Sequence, residues 1–290
     1  MSRHARTPGG ALLLDGNVLR DHMIAEVRTQ VASLAGVPCL ATLLIGDDGP
    51  SKVYVRNKHK QAQLAGMTSR NETLSANVSQ GEAEECVRRL AADPQVSGML
   101  IQQPVPSHLD GEALLSLIPA EKDVDGLTTT SMGRLLRGVD SLVPCTTLGV
   151  MRLLQHYGAD IAGKRAVVVG RSSLVGMPLA VLLARKGVDA TVTVAHSRTT
   201  NLAEVCREAD ILVSATGQAR SIRREHVKPG AWVIDVGISR SEHGIVGDVD
   251  FAAVESVAAA ITPMPGGTGP MTVACLVENT LTAWRRQHER

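Results

Sequence analysis

The 290-residue chain is longer than a typical single domain, and its length predicts two compact units or one large one. Its net charge is +1, its basic residues are dispersed and only 2% of its residues are aromatic. The chain therefore lacks the features expected of a protein that binds nucleic acid or a membrane surface. The five cysteines form no C-x-x-C pair, which argues against a disulfide framework and a cysteine-based zinc site. No apolar run reaches the roughly 18 residues of a membrane span. We therefore expect a cytoplasmic protein.

Helical and strand-like patterns alternate along the first half of the chain. Ser51 is predicted to cap a helix that ends near Gly66, and Ser79, with Glu82 three residues later, has the signature of a capping box. In chain order, the patterns predict a helix over 18–34, a strand over 40–45, a helix over 51–66, a helix over 79–94 and a strand over 96–101. This alternation is typical of an α/β domain with a mostly parallel sheet.

The second half repeats the alternation and predicts a second α/β domain with a Rossmann-like parallel sheet. Its predicted elements are a helix over 144–157, strands over 166–169, 191–195, 211–215 and 232–236, and a long helix over 271–286 after a Pro/Gly loop. We predict a first domain over residues 1–147, completed by the C-terminal helix at 271–290. The Rossmann-like domain is predicted to span residues 148–270.

A glycine-bearing turn follows the predicted strand at 166–169. It begins at Gly170, continues through Arg171 and Ser172, and reaches Gly176 at the start of the next helix. Glycine at such a turn lets backbone N–H groups approach a pyrophosphate at the positive end of a helix. The spacing is not G-x-G-x-x-G, so the turn alone is equally consistent with an ordinary strand-to-helix connection.

The end of the next predicted strand indicates which dinucleotide would bind. NAD sites usually place Asp or Glu there for the ribose 2′-hydroxyl, whereas this chain has His196, Ser197 and Arg198. Together with Arg171, Ser197 and Arg198 can donate hydrogen bonds to a 2′-phosphate. The pattern favours NADP, although Arg198 alone would also suit a solvated surface position.

Tyr54 and Lys58 are four positions apart on the predicted helix at 51–66, so they project from the same face. A tyrosine can stack on a flat ring while the amine beside it handles protons. Alone, this pair would be better explained by a half-buried tyrosine and a solvated lysine, and only the motifs that follow favour a functional role. His59 points away from that face and is expected at the surface, and the nine histidines form no H-E-x-x-H cluster, so no metal is predicted.

Two further polar residues follow predicted elements of the first domain. Gln102 comes directly after the strand at 96–101, where ligand sites of parallel sheets lie, and its neutral amide can position an amine without fixing its charge. Asp125 can accept two parallel N–H bonds from the amino-pyrimidinone edge of a pterin. The alternative for Asp125 is an Asx turn before Gly126.

These motifs, in this order, resemble the methylenetetrahydrofolate dehydrogenase/cyclohydrolase family, called FolD in bacteria. The matching segments cover nearly the whole chain and are 15–16, 54–58, 102–106, 122–126, 144–146, 170–178, 196–197, 235–238, 246–249 and 262–272. The resemblance implies two α/β domains with folate in an interdomain cleft, an NADP cofactor and a homodimer. It also implies oxidation of 5,10-methylenetetrahydrofolate and hydrolysis of the methenyl product to 10-formyltetrahydrofolate.

The resemblance also assigns residue roles. Lys58 corresponds to the family's catalytic lysine, Tyr54 to its pterin-stacking tyrosine, Gln102 to the residue that tunes the lysine and Asp125 to the pterin anchor. The loop that includes Pro263, Pro265, Gly266 and Gly267 is implied to line the substrate site. NADP contacts are implied for Gly170, Arg171, Ser172, Ser197 and Ile238, in addition to the glycine turn at Gly176 and the basic Arg198.

The chain departs from the family pattern at several positions, none of which removes a proposed catalytic group. Thr147 stands where the family usually has proline, Ser131 where it has asparagine, and Gln103 where it has an aliphatic residue, while Met264 and Thr268 replace valines. These departures leave open a specialised paralogue with altered kinetics or inhibitor sensitivity. The alternatives to a bifunctional enzyme are a family dehydrogenase with a weak cyclohydrolase and a non-catalytic NADP- or folate-binding regulator.

Overall fold

The computed structural model describes residues 4–242 and 244–289, whose contacts divide into two units. The three-stranded unit contains Asp21–Cys145 and the residues from Val273 onward, and the six-stranded unit contains the residues up to Arg20 and Thr146–Thr272. Each unit combines helices with a parallel sheet, which confirms the predicted fold class of two α/β units.

Strands and helices alternate in both units. The strands are β1 Leu12–Leu13, β2 Cys39–Ile45, β3 Thr68–Leu74, β4 Gly98–Ile101, β5 Arg165–Val169, β6 Thr191–Ala195, β7 Ile211–Ser214, β8 Trp232–Asp235, β9 Ser239–Ser241, β10 Gly244–Val246 and β11 Ala260–Ile261. The helices are α1 Gly16–Ala32, α2 Gly49–Leu64, α3 Gln80–Ala92, α4 Gly111–Ser116, α5 Thr129–Leu136, α6 Cys145–His156, α7 Gly176–Ala184, α8 Leu202–Arg207, α9 Phe251–Val254 and α10 Thr268–His288, with a 3₁₀ turn at Arg224–His226.

In the three-stranded unit, β2 lies between β3 and β4, and both neighbours run parallel to it. Every residue of β2 is buried, as expected for a strand covered on both faces. Leu43 and Ile101 pair across the sheet and belong to an aliphatic core that α3 covers through Val87 and Leu90. The sheet therefore holds the last residue of β4, and the Gln102 that follows it, in a fixed position.

In the six-stranded unit, the strand order is β1-β11-β8-β7-β5-β6 and every described pairing is parallel. Val167 and Val169 pack into one core, while Val168 packs into a second core on the opposite face. Because successive side chains of a strand point to opposite faces, both faces of this sheet are covered. This is the doubly wound arrangement of a Rossmann-like domain.

The first twenty residues differ from the predicted domain division. Strand β1 pairs in parallel with β11 at the edge of the six-stranded sheet, and Leu14 is fully buried in one of that sheet's cores. Residues 4–20 therefore fall in the six-stranded unit, whereas the sequence pattern assigned residues 1–147 to the first domain.

The start of α2 also differs from prediction. Its N-cap is Asp48, whose carboxylate accepts a hydrogen bond from the Ser51 backbone N–H at 2.9 Å, so the predicted cap at Ser51 is wrong. Ser51 lies within the first turn and is buried. The capping box of α3 is confirmed, because Ser79 and Glu82 exchange side-chain and backbone hydrogen bonds. Among the described residues, no helix is long and apolar enough to cross a membrane.

Candidate functional site

The predicted lysine lies on the buried face of α2. Val55, Lys58 and Ala62 follow one another at spacings of three and four residues, so the helix carries Lys58 inward together with its apolar neighbours. Only 9% of the Lys58 surface is exposed, which is unusual for a lysine. Its amine requires a specific polar partner.

That partner is Gln102 at the end of β4. The Lys58 Nζ donates to Gln102 Oε1 at 3.1 Å, and Gln102 Nε2 donates to the Gln103 carbonyl at 2.7 Å. The second bond turns the amide so that its oxygen faces the amine. Because this oxygen is neutral, it orients the lysine and leaves the amine free to exchange protons.

Tyr54 lies one turn before Lys58 on α2 and is 40% exposed. A position four residues earlier in a helix shares the same face, so the phenol ring and the amine emerge side by side. The exposed ring is available to stack on a planar molecule near the amine.

His59 is half-buried, contrary to the surface position expected from the sequence. Its Nε2 lies 2.7 Å from the hydroxyl of Thr42, which donates at 2.8 Å to the Asn71 side chain. Burial lowers the pKa of His59, and the charge of Lys58 lowers it further. His59 is therefore a neutral ring that packs α2 against the sheet.

The predicted anchor Asp125 lies in a turn whose backbone is stabilised by a different carboxylate. Asp123 accepts hydrogen bonds from the backbone N–H groups of Leu127 at 3.2 Å and Thr128 at 2.8 Å. The backbone that follows Asp125 is therefore stabilised by Asp123.

Cys145 brings Asp125 and Lys58 into one electrostatic environment. Burial raises the pKa of the Cys145 thiol well above its usual value, and the charge of Asp125 raises it further, while the charge of Lys58 acts in the opposite direction. Asp125 also lies within hydrogen-bonding reach of this thiol. Tyr54, Lys58, Gln102 and Asp125 all belong to the three-stranded unit.

In the six-stranded unit, the turn after β5 has a backbone that only glycine can form. Gly170 has φ +124°, and a Cβ added there would lie 2.3 Å from the Ala215 carbonyl oxygen. A Cβ on Gly176 would lie 2.1 Å from the Gly170 carbonyl oxygen. Such close approach is the geometry that lets backbone N–H groups cradle a pyrophosphate.

A cavity of about 320 Å³ opens at the carboxyl ends of β5, β6 and β7. It is lined by Val169, Gly170, Arg171, Ser172, His196, Ser197, Leu202, Ala215, Thr216, Gln218, Ser221 and Ile222. The lining has cationic and hydroxyl donors and no carboxylate, which fits a dinucleotide carrying a 2′-phosphate. Of the predicted cofactor residues within the described chain, Gly176, Arg198 and Ile238 lie outside this lining.

The sequence analysis missed the cavity wall at Thr216, Gln218 and Ser221. This wall follows β7. Because ligands bind beyond the carboxyl ends of parallel strands, the position after β7 could have located it from the sequence. Asp248, also missed, holds the wall, because its Oδ2 accepts hydrogen bonds from Ser214 Oγ at 3.0 Å and Thr216 N at 2.6 Å.

Asp248 is fully buried against a second carboxylate, Asp235. Asp235 accepts hydrogen bonds from the backbone N–H groups of Gly237, Asp248 and Val249 at 2.9–3.1 Å. Burial raises the pKa of Asp235 to about 6 despite these bonds, and the neighbouring charge of Asp248 contributes to the rise. Gly247 permits the close packing, since a Cβ there would collide with the Asp235 carboxylate.

The Pro/Gly loop implied to line the substrate site belongs to the six-stranded unit. Gly16 N donates to the Gly266 carbonyl at 2.8 Å, and the Thr268 hydroxyl donates to the Asp235 carbonyl at 2.9 Å. These bonds hold the loop that contains Pro263, Pro265, Gly266 and Gly267.

Comparison with known proteins gives a consistent result across the chain. The profile of the tetrahydrofolate dehydrogenase/cyclohydrolase catalytic domain matches residues 14–125, and that of the NAD(P)-binding domain of the same family matches residues 144–288. Bifunctional protein FolD 2 of Frankia alni is 50% identical over 283 residues, which cover 96% of this chain and 98% of that protein.

Two solved structures are similar over nearly the whole chain. The bifunctional FolD methylenetetrahydrofolate dehydrogenase/cyclohydrolase of Campylobacter jejuni has a TM-score of 0.92 at 40% identity, covering 98% of this chain and 100% of that one. The Trypanosoma brucei enzyme, solved with NADP cofactor and inhibitor, has a TM-score of 0.92 at 40% identity and covers 97% and 99% of the two chains.

Proposed function

The chain belongs to the tetrahydrofolate dehydrogenase/cyclohydrolase family, and on that premise we propose which of its side chains carry the two reactions. It is a bifunctional enzyme that oxidises 5,10-methylenetetrahydrofolate with NADP and hydrolyses the 5,10-methenyl product to 10-formyltetrahydrofolate. The observation that carries the assignment is the buried Lys58 amine, held at 3.1 Å by the neutral oxygen of Gln102.

In our proposal, Lys58 serves the hydrolytic step as its general acid and base. A water oxygen bonds to the methenyl carbon and loses a proton, and the bond from that carbon to one ring nitrogen then breaks as the nitrogen gains a proton. A single amine can accept the first proton and return one to the nitrogen, while the remaining hydroxyl proton passes to solvent as the formyl C=O forms, so that one proton is released overall. Gln102 keeps the amine oriented without pairing it to a negative charge.

The oxidative step depends on orientation. NADP, when bound, would supply the acceptor for the hydride that the methylene carbon loses in forming the methenyl product. We propose that Tyr54 stacks on the pterin ring and that Asp125 accepts two N–H bonds from its amino-pyrimidinone edge. Asp125 is suited to this because Asp123 satisfies the surrounding backbone groups. We also propose that the loop with Pro263, Pro265, Gly266 and Gly267 contacts the substrate.

For the cofactor, we propose that the glycine turn at Gly170 and Gly176 approaches the pyrophosphate together with Ser172. Arg171 and Ser197, which line the cavity, would bind the 2′-phosphate. Arg198 and Ile238 are exposed and complete the proposed set.

A paired assay tests this proposal. Purified protein would be given methylenetetrahydrofolate with NADP or NAD, and the methenyl and formyl products would be followed separately. We expect methenyl formation that is faster with NADP, followed by enzyme-dependent formyl formation. Accumulated methenyl product would identify a dehydrogenase with weak hydrolysis, and failure to form either product would contradict catalysis by these residues.

We further propose that the protein is a cytoplasmic homodimer. The hairpin of β9 and β10 pairs with no other strand among the described residues, and Ile245 on it is 44% exposed. Free strand edges with apolar side chains suit contact with a second copy. The five cysteines are buried and form no disulfide, which suits a reducing compartment. Light scattering and cell fractionation test these two statements, and a monomer mass would contradict the first.

A further inference from the structure

The C-terminal helix α10 contributes one buried side chain to the backbone around Asp125. Asn279 is 5% exposed, and its amide nitrogen donates to the carbonyl of Val124 at 2.9 Å and to the carbonyl of Val143 at 2.9 Å. One NH₂ group thereby joins two chain segments that are about twenty residues apart in sequence. The amide has two donor hydrogens, and its nitrogen also lies 3.6 Å from the Cys145 sulfur.

The first of those carbonyls immediately precedes the proposed anchor. Val124 O also accepts a hydrogen bond from the Cys145 thiol at 3.1 Å, so two donors converge on it. The thiol remains protonated because burial raises its pKa well above the usual value. The carbonyl of the peptide bond that leads into Asp125 is therefore held from two directions.

The residue after the anchor is equally constrained. Gly126 has φ +70°, and a Cβ on it would lie 2.6 Å from the backbone of Val143 and Pro144. Asp125 thus lies between Val124 and Gly126. The Val124 carbonyl accepts a hydrogen bond from Asn279, and Gly126 packs on Val143, whose carbonyl Asn279 also bonds. Moving the Asn279 amide would release both sides of this turn together.

We propose that Asn279 is a positioning residue that sets the orientation of the Asp125 carboxylate for folate. This inference rests on the proposed role of Asp125 as the pterin anchor. Asn279 acts through the backbone of Val124 and Val143 and does not contact the substrate. Its contribution is therefore confined to folate binding and orientation, and NADP binding is independent of it.

A double-mutant cycle tests this role. Asn279→Leu keeps the branching at Cγ, although it is larger, and removes both donors, so the Asp125 turn loses its fixed position. A displacement of about 1 Å at a binding group costs up to roughly 10²-fold, so we expect a 10- to 100-fold rise in folate KM for both activities, with NADP KM unchanged. In the Asp125→Ala background, Asn279→Leu should add little, because the group it positions is absent.

Thr280→Val is the matched control, since Thr280 is fully buried beside Asn279 and, within the part of the chain that the structure describes, its hydroxyl bonds only the Leu276 carbonyl of its own helix, at 2.8 Å. Thr280→Val should leave folate KM unchanged. Asn279→Ser retains one donor and serves if Asn279→Leu does not fold, with an expected intermediate rise in folate KM.

Several outcomes would overturn the inference. Additive effects in the cycle, or an equal rise in NADP KM, would show that Asn279 stabilises the protein generally. An effect of Asp125→Ala without any effect of the Asn279 variants would reject the positioning role alone. An unchanged folate KM in Asp125→Ala would reject the anchor itself, and with it the function proposed above for that residue.

Discussion

The Lys58 amine and the Gln102 amide oxygen lie 3.1 Å apart, although 44 residues separate them in the sequence. Helix α2 presents the lysine and the carboxyl end of β4 presents the glutamine. Because the partner is neutral and the amine is buried, the pair keeps a proton donor and acceptor oriented in a site from which most water is excluded.

Replacing Lys58 separates the two chemistries. Lys58→Met keeps the apolar stem and removes the amine, so the protein should fold. Hydrolysis needs proton transfers and should fall by roughly 10²–10⁴-fold, whereas hydride transfer has no obligatory base and should fall by less. Methenyl formation and methenyl hydrolysis would be measured separately, in a buffer that keeps spontaneous hydrolysis slow. Equal losses in both would assign Lys58 a binding role only.

The neutrality of Gln102 is tested by a charged isostere. Gln102→Glu would place a carboxylate beside the amine and hold it as an ammonium ion pair that cannot readily accept a proton. We expect hydrolysis to fall at neutral pH and its pH–rate optimum to move upward, with a smaller effect on the oxidation. Gln63→Glu, at an exposed position of the same helix, is the control. An unmoved pH profile would mean that the charge of the partner is irrelevant.

Local signals in the sequence were sufficient for most helices and strands. The capping box of α3 joins residues only three positions apart, and the sequence alone predicted it. The cap of α2 was misplaced although Pro50, a residue favoured in the first turn, marked the true start after Asp48. Strand β3 was missed because Thr68–Leu74 is mostly polar and partly exposed at the edge of its sheet.

The site itself was less accessible from the sequence. Resemblance gave the roles of Lys58 and Asp125, but the contacts that hold them join residues distant in the chain. Asn279, for example, bonds Val124 across 155 residues. Likewise Asp248 reaches Thr216 across 32 residues. No spacing rule links such pairs, because they meet only through the packing of helices on sheets.

Gln103 offers a test of stability. Its Nε2 is buried and has no hydrogen-bond partner among the described residues. A buried unsatisfied donor costs about 1–3 kcal/mol, so Gln103→Leu should raise the free energy of unfolding by an amount in that range. Urea denaturation measures it. A lower free energy of unfolding for the variant would show that the amide is paired in solution.

Cofactor preference follows from the cavity lining. Ser197→Asp would place a negative charge where the 2′-phosphate is proposed to bind, so NADP use should fall and relative NAD use should rise. The ratio of kcat/KM for the two cofactors measures the change. Thr200→Asp adds the same charge at an exposed position outside the cavity lining and is the control. Equal shifts in both variants would indicate a general charge effect.

The buried Asp235 predicts a pH-dependent stability. Its pKa rises from an ordinary value of 3.8 to about 6 in the folded protein, because burial disfavours the charged form and Asp248 lies beside it. Between these two values the folded state binds more protons than the unfolded state, so this residue's contribution to stability falls as pH rises from about 4 to 6 and is constant above.

Asp235→Asn removes the titrating group and isolates its contribution. A shift of this size corresponds to about 3 kcal/mol, so the stability advantage of the original protein over the variant should shrink by about that amount as pH rises from 4 to above 6. Urea denaturation across this range would measure both proteins. Asp189→Asn, at an exposed position of the same unit, controls for removal of one carboxylate. An advantage that grows with pH would show that the backbone hydrogen bonds to Asp235 outweigh its burial and hold it ionised.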